Sequence, residues 1–247
     1  MKENKHVEYK KIVDGARVAV LLVHGILSTP NHFRDFIPLI PKEYSVYAMV
    51  TEGHCGSVKD FSHSSLEGWE RSVQNAVDEL LENHDEIYMV GYSLGTLLSI
   101  DQAINNPRIT RLFLLAVPIK VGFRLRMIGI AARVYRNRIK SDDIYALACR
   151  ETYGITDSKN LFEYLGWIPR FFDLFKKIKR VRKNLDKLKT PTVAYQSLED
   201  ELVSSKSIDI LKRESKMRVE ILDASSHFYY EPSNMEYLKE EFVKFLS

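Results

Sequence analysis

Gly91-Tyr92-Ser93-Leu94-Gly95 stands between two segments of opposite character. Before it, Glu86 to Val90 is a short run of strand type. After it, Leu94 to Ile104 reads as a helix. A serine on so sharp a strand-to-helix turn has its hydroxyl thrust out of the sheet. Glycines on either side remove Cβ atoms that would clash with the adjacent strand or helix. The helix that opens here also directs N–H groups and the positive end of its dipole at charge building near the serine. With 11 glycines and 20 serines in the chain, chance supplies about 0.04 such matches, before any strand–turn–helix context is required. Ser93 therefore reads as a nucleophile, with Gly91 and Gly95 shaping its elbow.

Outward from the elbow, the first third of the chain alternates strands and helices. Val7 to Val13 reads as an opening strand, with Asp14-Gly15 as a hairpin turn. Arg17 to Val23 is a continuous apolar run, the pattern of a strand buried on both faces. Pro30 to Ile40 carries Phe33, Phe36, Ile37 and Ile40 at helical spacing, and Tyr44 to Val50 reads as a strand. Leu66 to Leu81 is an amphipathic helix, and Arg111 to Val117 a buried strand. This order implies an α/β protein with a mostly parallel central sheet flanked by helices.

From Ile119 to Thr190 only helical patterns occur. The clearest is one stripe of Phe171, Leu174, Phe175, Ile178, Val181, Leu185 and Leu188. After Pro191 the alternation resumes, with strand Thr192 to Gln196, a helix near Ser204 to Leu211 and strand Arg218 to Leu222. A last helix is expected from Ser233, where Ser233 and Glu236 have capping-box spacing. The simplest organisation is one core, residues 1–118 and 191–247, interrupted by a helical insertion over 119–190.

Composition narrows the class. The chain has 247 residues, 45% hydrophobic, with 36 basic against 33 acidic side chains, a formal charge of +3. It is too apolar to be disordered and too near neutral to argue for nucleic acid. Two cysteines, Cys55 and Cys149, make neither a disulfide framework nor a structural zinc site. The charged start, Met1 to His6, lacks the apolar stretch of a secretory signal. The longest apolar run, Val18 to Val23, is far short of the ~20 residues a membrane helix needs. A cytoplasmic protein with reduced thiols, no metal and no cofactor is the expectation. The total charge conceals a division: the insertion holds 18 basic and 7 acidic residues, net +11, and the rest of the chain is net −8.

Two further stretches complete the candidate site. His24-Gly25-Ile26 ends the buried strand, where a loop can present a backbone N–H to an oxyanion. Of seven histidines only His227 lies downstream of Ser93, so the order serine, acid, histidine leaves one candidate base. An acid is needed to hold its tautomer and stabilise the imidazolium. Glu199 and Asp200, after strand Thr192 to Gln196, are equally placed for this, with Asp223 a weaker rival sharing the histidine's own loop.

Together these residues resemble the α/β-hydrolase fold, and within it the small bacterial carboxylesterases and monoacylglycerol lipases. The resemblance spans nearly the whole chain: His24-Gly25-Ile26, Gly53-His54-Cys55-Gly56, the Ser93 elbow, Asp200-Glu201-Leu202-Val203 and Ser226-His227 occur in family order. The family's Asp-x-x-Val pattern selects Asp200 over Glu199. Its oxyanion donors map to the backbone N–H groups of Ile26 and Leu94, and its cap to the insertion. Two positions depart from it. Cys55 stands where a glycine is usual, after Glu52 in place of a proline; Ser226 stands where the family has glycine before its histidine.

The resemblance implies a serine hydrolase of carboxylic esters with an apolar acyl group, working through Ser93, His227 and Asp200. The elbow serine argues against haloalkane-dehalogenase and epoxide-hydrolase chemistry, whose relatives carry a carboxylate there. Thioesterase or acyltransferase action on the same acyl-enzyme is the alternative within the class, and a non-catalytic ligand receptor on the same scaffold the alternative outside it. Phe123 to Arg138, mixing apolar side chains with arginines, has the composition of a segment resting on an anionic membrane. The blander expectation for it is a cap helix packed on the core with its arginines in water.

Overall fold

The computed structural model describes residues 7–247; the charged start, Met1 to His6, lies outside them. Among the described residues seven strands form one sheet: β1 (Tyr9–Lys11), β2 (Val18–Val23), β3 (Ser45–Met49), β4 (Glu86–Tyr92), β5 (Ile109–Leu115), β6 (Thr192–Ser197) and β7 (Met217–Leu222). Their order is β1-β3-β2-β4-β5-β6-β7. β1 runs antiparallel to β3, and every other neighbouring pair is parallel. The helices are α1 (Val58–His63), α2 (Leu66–Leu81), α3 (Leu94–Asn105), α4 (Arg126–Tyr135), α5 (Ile144–Thr152), α6 (Trp167–Asn184), α7 (Lys206–Leu211) and α8 (Pro232–Leu246).

Parallel strands covered on both faces are apolar throughout, and β2 is buried at all six residues. Its side chains still alternate between faces. Ala19, Leu21 and Val23 join Met89 and Leu112 in a layer with Trp69, Leu97 and Ile178. Val20 and Leu22 join Val90 and Phe113 on the other face, with Phe36 and Phe242. The chain steps from β2 outward to β3, then crosses back over β2 to β4. The strand order therefore reverses between β2 and β4, and a crevice opens at their carboxyl ends. The loops that follow these two strands begin at His24 and Ser93.

Several sequence expectations are corrected. Asp14-Gly15 does turn, with Gly15 at φ +72°, but β3 lies between β1 and β2, so the turn closes no hairpin. Pro30 to Ile40 forms two 3-10 turns, Pro30–Phe33 and Ile37–Leu39, instead of an α-helix. Pro38 has no N–H and its ring disfavours continued helix before it; Phe33 and Phe36 are buried all the same. The cap of α8 is Glu231, whose side chain accepts from the Ser233 N–H, so the Ser233–Glu236 box does not form. The α6 stripe is divided: Ile178 and Val181 are buried, whereas Phe171 and Phe175 are exposed.

The segment between β5 and β6 carries α4, α5, a 3-10 turn at Leu161–Gly166, and α6. It enters along the loop after β6: Gly122 N–H donates to the Leu202 carbonyl, Ser204 N–H to the Lys120 carbonyl, and Val121 bridges Val203. It leaves along α6, where Lys177 is buried and bonds Glu70 of α2 (2.8 Å) and Asp101 of α3 (2.6 Å). Arg180 pairs with the same two carboxylates.

Candidate active site

Ser93 is at φ +50°, ψ −119°, a left-handed backbone that a side chain adopts at a cost. The strain is imposed from both sides. β4 delivers the chain with Ser93 N–H bonded to the Leu115 carbonyl at 2.9 Å, and α3 departs at once. A Cβ on Gly95 would overlap the carbonyl of Val23, so only glycine lets α3 start against the end of β2. A Cβ on Gly25 would lie 2.9 Å from Ser93 Cβ, so the loop after β2 runs directly against the serine. Leu94 opens α3, and its N–H is one of the four at a helix start without an intrahelical acceptor. Ile26 follows Gly25 in the loop that lines Ser93.

His227 lies in the loop after β7 and is 3% exposed. Its Nδ1 is 2.8 Å from Asp200 Oδ2. With Nδ1–H donating to the carboxylate, Nε2 is left as the acceptor. The other carboxylate oxygen, Oδ1, accepts the N–H groups of Leu202 and Val203, each at 2.7 Å, so Asp200 is fixed by its own loop. The three acids left open by position now separate. Glu199 is half-exposed and pairs with Arg124 at 2.6 Å. Asp223 is exposed. Asp200 alone of the three meets His227. Tyr92, the residue before Ser93, donates its hydroxyl to the His227 carbonyl at 2.8 Å and so ties the base loop to the elbow.

His24 faces inward and pins the loop it begins. Nδ1 donates to the Gly25 carbonyl (2.8 Å) and Nε2 accepts the Thr51 N–H (3.2 Å). Burial lowers its pKa to about 4, so it stays neutral. His54 meets it edge-on at 4.8 Å and bonds Thr51 Oγ1 at 2.9 Å. His32 stacks on Tyr92 at 3.4 Å. Burial holds both well below the usual imidazole range. Sequence reasoning assigned no role to His32, Tyr92, Arg126 or Glu201. Glu201 is fully buried. Its contacts come from distant parts of the chain, and no local pattern marks them. Among the described residues no group of three or more His, Cys, Asp or Glu side chains is arranged to hold a metal ion.

The segment carrying α4 to α6 touches each loop around the serine. Gly154 N–H donates to the Leu27 carbonyl (3.0 Å) and Thr156 N–H to the Gly56 carbonyl (2.8 Å). Tyr145 meets Tyr229 edge-on at 5.5 Å. Ser93 is only 6% exposed. Behind the base loop lies a cavity of about 450 Å³, lined by His32, Leu147, Thr152, Phe228 and Tyr230 among others.

Residues 20–240 match the model of the alpha/beta hydrolase family. The chain belongs to that family. Among its relatives is the thermostable monoacylglycerol lipase of Bacillus sp. strain H-257, 26% identical over 205 residues, 78% of this chain and 75% of the lipase. The carboxylesterase of Bacillus subtilis strain 168 is 24% identical over 243 residues, 92% of this chain and 88% of the esterase. Of the solved structures, the monoacylglycerol lipase of Paleococcus ferrophilus superposes with a TM-score of 0.69 at 18% identity, covering 97% of both chains. A structure from work on the metagenome-derived lipolytic enzymes LipS and LipT gives 0.73 at 18% identity, covering 98% of both. At these identities the superpositions show the fold. They agree with this alpha/beta hydrolase in its mostly parallel sheet flanked by helices.

Proposed function

We propose that the protein hydrolyses carboxylic esters by a serine mechanism. The observation that carries the reading is the 2.8 Å Asp200–His227 hydrogen bond, in a loop tied through Tyr92 to a strained Ser93 elbow. His227 Nε2 takes the Ser93 Oγ proton as the oxygen attacks the ester carbonyl. The N–H groups of Ile26 and Leu94 receive the oxyanion. The tetrahedral intermediate collapses, and the alcohol leaves with the proton held by His227. Water then attacks the acyl-enzyme, gives its proton to His227, and the acid departs as Ser93 regains it. The lipase and esterase relatives support an ester with an apolar acyl group. A panel of p-nitrophenyl esters from short to long chain, with a monoacylglycerol alongside, measures substrate range. Ser93→Ala lowers the rate by about three to six orders of magnitude; near-native turnover in that variant defeats the reading.

Residues 119–190 act, in this proposal, as the cap over that site, and their outer face meets anionic lipid. Two observations support the second part. Leu161, Phe162, Leu165, Ile168, Phe172 and Phe175 are exposed, Phe162 at 81%. Further along the same face of α6, Lys179, Arg182 and Lys183 are exposed. An apolar row continued by cations matches the headgroup boundary of an anionic bilayer. The stretch from Phe123 to Arg138 is the lesser contributor, because Ile130 is buried and Met127 and Val134 pack inward. The protein is expected to sediment with phosphatidylglycerol vesicles at low salt and to be released at high salt. Binding unchanged by Phe162→Ser/Phe172→Ser, or self-association through this face instead, contradicts the proposal.

A further inference from the structure

Glu201 takes no part in the steps above, yet it is 0% exposed and sits between the base loop and the insertion. Its Oε2 accepts the backbone N–H of His227 at 2.9 Å. Its Oε1 lies 2.6 Å from Arg126 Nη2, an ion pair without the alignment of a hydrogen bond. Arg126 is the first residue of α4. It also donates to the Glu199 carbonyl at 2.9 Å and lies over the Tyr145 ring at 4.5 Å. A carboxylate this buried is expensive to keep ionised without such a partner.

We infer that Glu201 is a positioning residue for His227, and that Arg126 sets the charge around that imidazole, so that seating of the insertion and the action of the base are coupled. The inference rests on the proposed hydrolysis through Ser93, His227 and Asp200. Two contacts give Glu201 this role. The first fixes the backbone of the base itself. The second comes from the first residue of α4, in the segment inserted between β5 and β6.

Titratable and charged groups surround His227 from several elements. From the loop after β6 come Asp200 and Glu201; from β4, Tyr92; from the turn after β2, His32; from its own loop, Tyr230. Cys149 of α5 lies within electrostatic reach of Glu201. Burial keeps His32 neutral, pushes Tyr92 and Tyr230 upward, and pushes Cys149 up to about 12. Arg34, beside His32, is paired outward with Glu151 at 2.7 Å. Two carboxylates and the Arg126 guanidinium are therefore the charges that act there. Removing Arg126 leaves an uncompensated anion near the imidazole. It favours the imidazolium, and the base is lost at higher pH.

The test is the pH dependence of kcat/KM with p-nitrophenyl butyrate. Arg126→Met moves the acid limb upward by about one pH unit. Adding Glu201→Gln returns it, because glutamine is uncharged and still accepts the His227 N–H. Glu201→Gln alone moves the limb downward, since Arg126 is then the unpaired charge; this variant decides the matter if Arg126→Met does not fold. Glu201→Leu removes the acceptor: kcat drops about ten- to a hundredfold with KM little changed, and fluorophosphonate labelling of Ser93 slows in proportion. An acid limb unmoved in both Arg126→Met and Glu201→Gln, in a protein silenced by Ser93→Ala, overturns this inference alone. Activity surviving Ser93→Ala overturns the hydrolase reading and the inference with it.

Discussion

Cys55 has φ +58°, in the left-handed region where a side chain crowds its own carbonyl. It stands where the resembling family carries glycine, and the backbone angle explains that preference. Leu27, Ser93, Ala116 and Ala224 share this conformation. With Cys55 they occupy the loops after β3, β2, β4, β5 and β7, all at the carboxyl edge of the sheet. Strain of this kind persists where surrounding structure over-determines it, and it gathers at functional edges. Relieving it at a residue outside the proposed chemistry is expected to stabilise the fold. Cys55→Gly should raise unfolding free energy by about 1 kcal/mol, the penalty for a left-handed residue less glycine's entropy. Urea denaturation checks this; a lower midpoint for the variant counts against it. Ser93 and His227 stood out in sequence because each sits in a short motif after a strand, and the family resemblance chose Asp200, which the fold brings to 2.8 Å from His227. Glu201 and Arg126 escaped, because their meeting depends on two loops far apart in the chain.

At the scale of elements, legibility followed how local the deciding interaction was. α2 occupies Leu66–Leu81 as its periodicity implied, because four turns of one apolar stripe and the Ser65 cap are local features. β1 was expected to pair with its sequence neighbour and instead pairs with β3, since partner choice depends on the whole sheet. The α6 stripe is continuous in sequence. Its second half is buried, and its first half carries exposed aromatics. Lys177 was unremarkable in sequence and proves to be the buried tie between α6 and the core, with burial lowering its pKa against the pull of Asp101. Lys177→Met leaves Glu70 and Asp101 to Arg180 alone. The expected loss is about 2 kcal/mol, less than for a fully buried pair, because both carboxylates keep some contact with water. A change under about 0.5 kcal/mol in urea unfolding assigns the tie no energetic weight.

For the whole molecule, the buried histidines set an acid limit. His24, His32 and His54 are neutral in the folded chain, with pKa values lowered by burial, His24 to about 4. In the unfolded chain an imidazole titrates near 6.5, so between pH 6.5 and 4 the unfolded state binds more protons. Stability therefore falls as pH drops through that window, by about 1.4 kcal/mol per pH unit for each imidazole that only the unfolded chain protonates. The urea midpoint is expected to be clearly lower at pH 5 than at pH 7; equal midpoints contradict burial of neutral imidazoles.

In the proposed mechanism Ser93 is a nucleophile made reactive by His227 and Asp200. Intact-mass spectrometry after treatment with a fluorophosphonate measures it most directly. One adduct per chain, mapped to Ser93, absent in Ser93→Ala and slowed in His227→Ala and Asp200→Asn, is the expected result. A folded protein that takes no adduct, or takes it at another residue, contradicts the claim.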